Sequence, residues 1–260
     1  MRIGVFDSGI GGLTVLKPLI QSKFFTETIY FGDTARVPYG GKDKNIIIRY
    51  ALEAVEFFKN FDIQILIVAC NTVSAYALDF MRKEATFEVY GVIESGVLAV
   101  EKYTFSHNKR PEDLEILVIG TKGTIKSEIY NDLLKEKNYQ RIENLPTGLF
   151  VPIVEEEIFH GEILTATFEH YFKNIETPDV IVLGCTHFPL ISDEIKKYFL
   201  SRENSTKENI FMVHSGEAII DFLTSKYNFK EKFNSTEMKF FASENPSNLK
   251  RIANHWLGMV

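Results

Sequence analysis

"ILIVACNTVSA", residues 65–75, opens as an unbroken apolar run, stops at a cysteine and then turns polar. An apolar run without polar alternation is buried on both faces, which is the pattern of a parallel strand covered by helices. "VIVLGCTHFPL", residues 180–190, repeats it: apolar run, cysteine, then hydroxyl and imidazole groups. The chain has only two cysteines, Cys70 and Cys185, and both stand at such a junction.

Working outward, "RIGVFDSG", "TIYFGDT", "EVYGVIES", "LEILVIGTKGT" and "IFMVHSGEA" are further short apolar runs that end in Gly, Ser, Thr or Asp. Amphipathic stretches such as "NIIIRYALEAVEFFKNF" lie between them with apolar residues near helical spacing. This alternation predicts an α/β fold with mainly parallel sheets. The halves echo each other, "FDSG" then "ACNT" and later "IGTKGT" then "GCTH", which suggests two similar α/β units. The polar segment "SHNKRPED" (106–113) is the expected crossing between them. A second polar stretch, "SRENSTKEN" (201–209), precedes a strand, "IFMVHSG", expected to return the chain to the first unit.

Composition narrows the partners. At 260 residues, 45% hydrophobic and 25% charged, the chain can bury a core without disulfides or a structural metal. A net charge of −6, from 35 acids against 29 bases with no basic block, argues against a nucleic-acid partner. No apolar run is long enough to span a membrane, and no signal peptide is expected ahead of "MRIGVFDSG". Two cysteines without scaffold spacing fit free thiols in a reducing cytoplasm.

Open α/β sheets bind ligands at the carboxyl ends of their strands, where both cysteines fall. Asn71 and Thr72 follow Cys70, and Thr186 and His187 follow Cys185. With backbone N–H groups at the strand-to-helix turn, such side chains can hold a carboxylate. One cysteine alone reads as a small buried apolar residue. Two placed alike, each trailed by polar groups, point to function. His187 reads as a general acid or thiolate partner, or alternatively as a histidine capping a loop.

Asp7 and Ser8 close the first strand, to orient a base or pair with an ammonium group, or simply to cap the next helix. Gly9, Gly11, Gly12 and Asp33 invite a dinucleotide fingerprint, but its third small position is Thr14, so the pattern fails. "PYGG" (38–41) offers Tyr39 and exposed amides at Gly40. Glu155–Glu157 are expected in the first turn of a helix. No HExxH, CxxC, P-loop or GxSxG motif supports a metal, NTPase or serine-hydrolase reading.

Taken together, "FDSGIGGLTVL", "FGDTARVPYG", "VACNTVSAYAL", "GTKGTI", "FVPIVE" and "GCTHFPL" resemble, in the same order, the signature blocks of the glutamate racemase family. The match spans about residues 2–220, and "ARVPYG" favours glutamate over aspartate within the wider superfamily. The resemblance implies two α/β domains, residues 1–97 plus 211–260 and residues 98–210, with the active site in the cleft between them. It also implies cofactor-independent, metal-free racemisation of glutamate, supplying D-glutamate for peptidoglycan, and it leaves a homodimer open.

By the same resemblance Cys70 serves one face of the substrate α-carbon and Cys185 the other. Asp7 assists the first; Glu155 and His187 assist the second. Ser8, Asn71, Thr72 and Thr186, with Asp7 and His187, are expected around the α-carboxylate and α-ammonium. Tyr39, Gly40, Thr121 and Thr124 are expected at the side-chain carboxylate. Alternatives are an aspartate racemase of the same superfamily, a hydrolase using Cys185 with His187, and a non-catalytic amino-acid-binding protein.

Overall fold

In the computed structural model, which describes residues 1–203, 205, 207–229 and 232–258, the apolar runs form the middle of two parallel sheets. The strands are β1 (Arg2–Asp7), β2 (Glu27–Gly32), β3 (Ile65–Val68), β4 (Glu88–Gly91), β5 (Glu115–Gly120), β6 (Arg141–Pro146), β7 (Val180–Gly184), β8 (Phe211–Val213) and β9 (Glu237–Ala242). The first sheet has the order β4-β3-β1-β2-β9 and the second β6-β5-β7-β8. Every pairing is parallel.

The unbroken runs follow from cores on both faces of each sheet. Ile3, Val5, Ile65 and Ile67 point into one core of the first sheet, while Phe6, Leu66 and Val68 point into the other. In the second sheet Leu117, Ile119, Ile181 and Leu183 face one core, and Ile116, Val118, Val180 and Val182 the other. Each such side chain contributes about 1.5–3 kcal/mol through burial. The edge strands β6 and β9 instead carry exposed positions that alternate with partly buried ones.

Helices cover the faces. The helix Lys44–Phe58 starts where the Asp43 side chain accepts a hydrogen bond from Asn45 N at 2.8 Å, an N-cap. It buries Ile47, Ala51, Ala54, Val55 and Phe58, spaced along one stripe, against the first sheet. The helix Val92–Ser106 ties the halves together, with Val92 in a first-sheet core and Ile93, Val97 and Val100 in a second-sheet core. Residues 106–113 then carry the chain from that helix into β5, as their polarity predicts.

One expectation is corrected. The strand in "IFMVHSG" does not return to the first sheet: β8 pairs with β7, Val180 opposite Phe211, and so extends the second. The crossing comes after Val213, when the helix Ser215–Lys226 buries Ile219, Phe222 and Leu223 in the first sheet's core and β9 pairs with β2. Its apolar run fits a strand on either sheet, and the free edge of β7 is where it pairs. Residues 204 and 206 of the preceding polar stretch lie outside the described residues. Among the described residues no helix is long and apolar enough to cross a membrane.

Candidate active site

β1 and β3 are neighbours in the first sheet, and β5 and β7 are neighbours in the second. Their carboxyl ends converge on a narrow cavity of about 20 Å³. The first half contributes Ser8, Tyr39, Gly40, Cys70, Asn71 and Thr72 to its wall; the second contributes Thr121, Cys185, Thr186 and His187. The sequence-predicted residues Asp7, Thr124 and Glu155 stand one step behind, each bonded to a wall residue. A space this size suits a single water rather than an amino acid. The two sets of wall residues therefore stand close together around it.

Cys70 sits between β3 and the helix Asn71–Tyr76, 6% exposed, with Ser8 Oγ 3.5 Å from its sulfur. Burial above all, reinforced by the Asp7 charge, pushes its thiol up to about 12, against hydrogen bonding with Ser8 and the Val73 N–H. Asp7 is itself fully buried. It accepts hydrogen bonds from Gly9 N at 3.0 Å and from Thr186 Oγ1 across the interface at 3.4 Å. Burial raises its carboxyl above the ordinary range, opposed by the His187 charge and by the N–H groups of Gly12 and Gly9.

Cys185 faces a different partner. Its sulfur lies 3.7 Å from His187 Nδ1, and His187 Nε2 lies 3.1 Å from Glu155 Oε1. Burial alone would lower the imidazole, but bonding to Cys185 and to Glu155 outweighs it and the net shift is upward. The sulfur and the carboxylate on either side thus both favour the protonated imidazole. Glu155 does not begin a helix as expected from the acidic run. It is the last residue of the helix Phe150–Glu155, where the helix dipole disfavours a carboxylate and the His187 cation offsets that cost.

At the other end of the cavity three hydroxyls form a cluster. Thr72 Oγ1 lies 2.9 Å from Thr121 Oγ1 and 3.1 Å from Thr124 Oγ1, so both halves share it. Tyr39 donates its phenol proton to buried Asp33, which also accepts from Arg36 Nε at 2.6 Å. Asp33 therefore braces the 38–41 turn, whereas the dinucleotide pattern would have set it on a ribose.

The halves meet through glycines. A β-carbon at Gly11 would stand 2.4 Å from Thr186 Oγ1 and 2.7 Å from His187 Nδ1, which is sterically forbidden. Thr14, singled out only for breaking the fingerprint, donates from Oγ1 to the Thr186 carbonyl at 2.8 Å. Val37 and Val151 also line the cavity and were missed. Val151 lies four residues before Glu155 on the same helix face, a spacing that was readable. Among the described residues no group of three or more His, Cys, Asp or Glu side chains is placed to hold a metal ion.

Comparison with known proteins agrees with this geometry. Residues 23–221 match the family model described as Asp/Glu/Hydantoin racemase. The chain is 55% identical over 257 residues to the glutamate racemase of a Nitratiruptor species, covering 99% of this chain and 96% of that protein. Its fold superposes on the crystal structure of glutamate racemase from Campylobacter jejuni subsp. jejuni with a TM-score of 0.94 at 50% identity, covering 100% and 99% of the two chains. The glutamate racemase of Francisella tularensis subsp. tularensis, solved in complex with D-glutamate, superposes with a TM-score of 0.83 at 28% identity, over 99% and 94%.

Proposed function

The chain belongs to the Asp/Glu/Hydantoin racemase family and to its glutamate racemases, and from that premise we propose that it interconverts L- and D-glutamate through two opposed thiols, without a cofactor. It is a racemase, and so an isomerase. The observation that carries the mechanism is that Cys70 and Cys185, from different sheets, line one narrow cavity.

In the proposed cycle one cysteine, as thiolate, takes the α-proton from one face of the substrate. The electron pair of the broken C–H bond remains on the α-carbon and spreads into the carboxylate. The other cysteine, as thiol, gives its proton to the opposite face. The thiol and thiolate states have then exchanged, which readies the site for the opposite enantiomer.

No cofactor ring accepts the charge in this scheme, so fixed hydrogen bonds and exclusion of water must hold the carbanion-like state. We assign Ser8, Asn71, Thr72 and Thr186, with Asp7 and His187, to the α-carboxylate and α-ammonium. Tyr39, Gly40, Thr121 and Thr124 are assigned to the side-chain carboxylate. The Cys70 thiol, raised to about 12 by burial, is a reluctant acid but a strong base once ionised. Each unit of that rise brings it about 1.4 kcal/mol nearer the weakly acidic α-proton.

The Cys185–His187–Glu155 line also has the order of nucleophile, base and orienting carboxylate, which favours a hydrolase as the second reading. That reading leaves Cys70 without a role. By this assignment the enzyme works in the cytoplasm and supplies D-glutamate for peptidoglycan. Sedimentation of the purified protein tests the homodimer that the family resemblance leaves open.

The test is to incubate the protein with L-glutamate in D₂O and to follow optical rotation and α-deuterium together. Loss of rotation with deuterium uptake is expected. Folded, reduced protein that changes neither would overturn the proposal, and a panel of other amino acids would then be examined.

A further inference from the structure

Asn71 directly follows Cys70, is 2% exposed and lines the cavity. Its two amide ends are used differently. Oδ1 accepts a hydrogen bond from Tyr130 OH at 2.7 Å, whereas buried Nδ2 has no hydrogen-bond partner among the described residues. A buried N–H₂ group without an acceptor is costly, and the cavity is where an acceptor can reach it.

Tyr130 comes from the other half, on the helix Ile129–Glu136, and is itself 2% exposed. Its ring packs against the residue before the second thiol: a β-carbon at Gly184 would stand 3.4 Å from Tyr130 Cε2, ordinary van der Waals contact. One side chain therefore bonds to Asn71, immediately after Cys70, and lies beside Gly184, immediately before Cys185. Burial raises the phenol far above its ordinary value, opposed by a hydrogen bond from Ser215. The phenol thus stays protonated and commits its proton to Asn71.

We propose that Tyr130 is the positioning residue that fixes the Asn71 amide with its N–H₂ end toward the substrate carboxylate, while its ring spaces the two cysteine-bearing turns. Without the phenol proton the amide is free to turn over. Its carbonyl oxygen would then face the carboxylate, two acceptors with no proton between them. This inference rests on the assignment of Asn71 to the substrate carboxylate.

The test is a double-mutant cycle with Tyr130→Phe, Asn71→Ala and the double variant. It is read as kcat and KM for glutamate racemisation and as D-glutamate binding by calorimetry, with thermal melting to confirm folding. Phenylalanine keeps the ring against Gly184 and removes only the hydroxyl. Tyr130→Phe is expected to lower kcat/KM by roughly tenfold to a hundredfold, the range of a hydrogen bond to a charged group, mainly through KM. In the Asn71→Ala background the same substitution should change binding by less than about twofold, because the amide it acts through is gone.

A Tyr130→Phe enzyme within about threefold of the parent would overturn the proposal. So would an equal loss in both backgrounds, which would mean general packing. A parent protein that neither binds nor racemises glutamate would instead overturn the proposed function, so the two failures are distinguishable.

Discussion

Gly40, in the turn of the first half, and Thr121, at the end of β5 in the second, are packed so closely that a β-carbon at Gly40 would stand 2.3 Å from Thr121 Cβ. Closure of the cavity therefore depends on a missing side chain at position 40. Gly40→Ala should let each half fold but hold the halves apart by the roughly 1 Å that relieves the overlap. A displacement on the order of 1 Å costs roughly a hundredfold in rate when it separates reacting groups. We expect kcat/KM to fall by about that factor with little change in melting temperature. Activity within threefold of the parent would mean that closure does not require this contact.

The two-thiol scheme predicts a division of labour that one catalytic cysteine cannot reproduce. Cys70→Ser and Cys185→Ser should each lose racemisation by roughly a thousandfold or more, about 4 kcal/mol of barrier. Each should still exchange the α-hydrogen of one enantiomer in D₂O, because the remaining thiol removes and returns a proton on its own face. The two variants should act on opposite enantiomers. Nuclear magnetic resonance of the α-position checks this, and exchange of the same enantiomer by both would sink the scheme.

The interior of the fold was legible because its strands are apolar on both faces, as in β3 and β7, and are too short and too closely followed by Gly, Ser, Thr or Asn to be buried helices. Two of the four edge strands were not. "RIENLP" and "EMKFFA" are β6 and β9, but an edge strand needs apolar side chains on fewer positions and reads like loop or helix surface. β8 was found as a strand and set on the wrong sheet, since a three-residue run carries no information about its neighbour. Within the site, residues next to the cysteines in sequence were visible. Tyr130 and Thr14 were not, because they reach the site only through tertiary contacts, with Asn71 and with the Thr186 carbonyl. The acidic run at 155–157 was read as a helix start from composition, whereas Glu155 closes its helix and answers to His187.

Asp7 is predicted to tune Cys70. Its charge is the second cause, after burial, of the upward shift of that thiol. Asp7→Asn removes the charge while keeping the shape, so the Cys70 thiolate should form at lower pH. In a Cys185→Ser background, which leaves one thiol, ultraviolet thiolate absorbance against pH should move down by about one unit. The thiolate would then be a weaker base. In the otherwise unaltered enzyme, racemisation should fall by about tenfold or more. An unchanged thiolate titration would remove Asp7 from this role.

Glu155 is predicted to set the alkaline limit of activity through His187. The imidazole is raised from its ordinary value of 6.5 because bonding to Cys185 and to Glu155 outweighs the burial that alone would lower it. Glu155→Gln keeps a hydrogen-bond acceptor and removes the charge, so the His187 value must drop. Activity that needs the cation is lost as pH rises through that value, and the alkaline limb of kcat/KM should therefore move to lower pH by about one unit. The substrate ammonium also titrates there, but it is the same in both enzymes, so the difference reports on the protein. Stability has the same sign. A group raised on folding contributes fully below its unfolded value, near 6.5, and the contribution is lost as pH climbs through the raised one. The melting-temperature gap between parent and Glu155→Gln should thus be widest at mildly acidic pH and close in the alkaline range. A gap that widened toward alkaline pH would show His187 to be neutral in the folded enzyme.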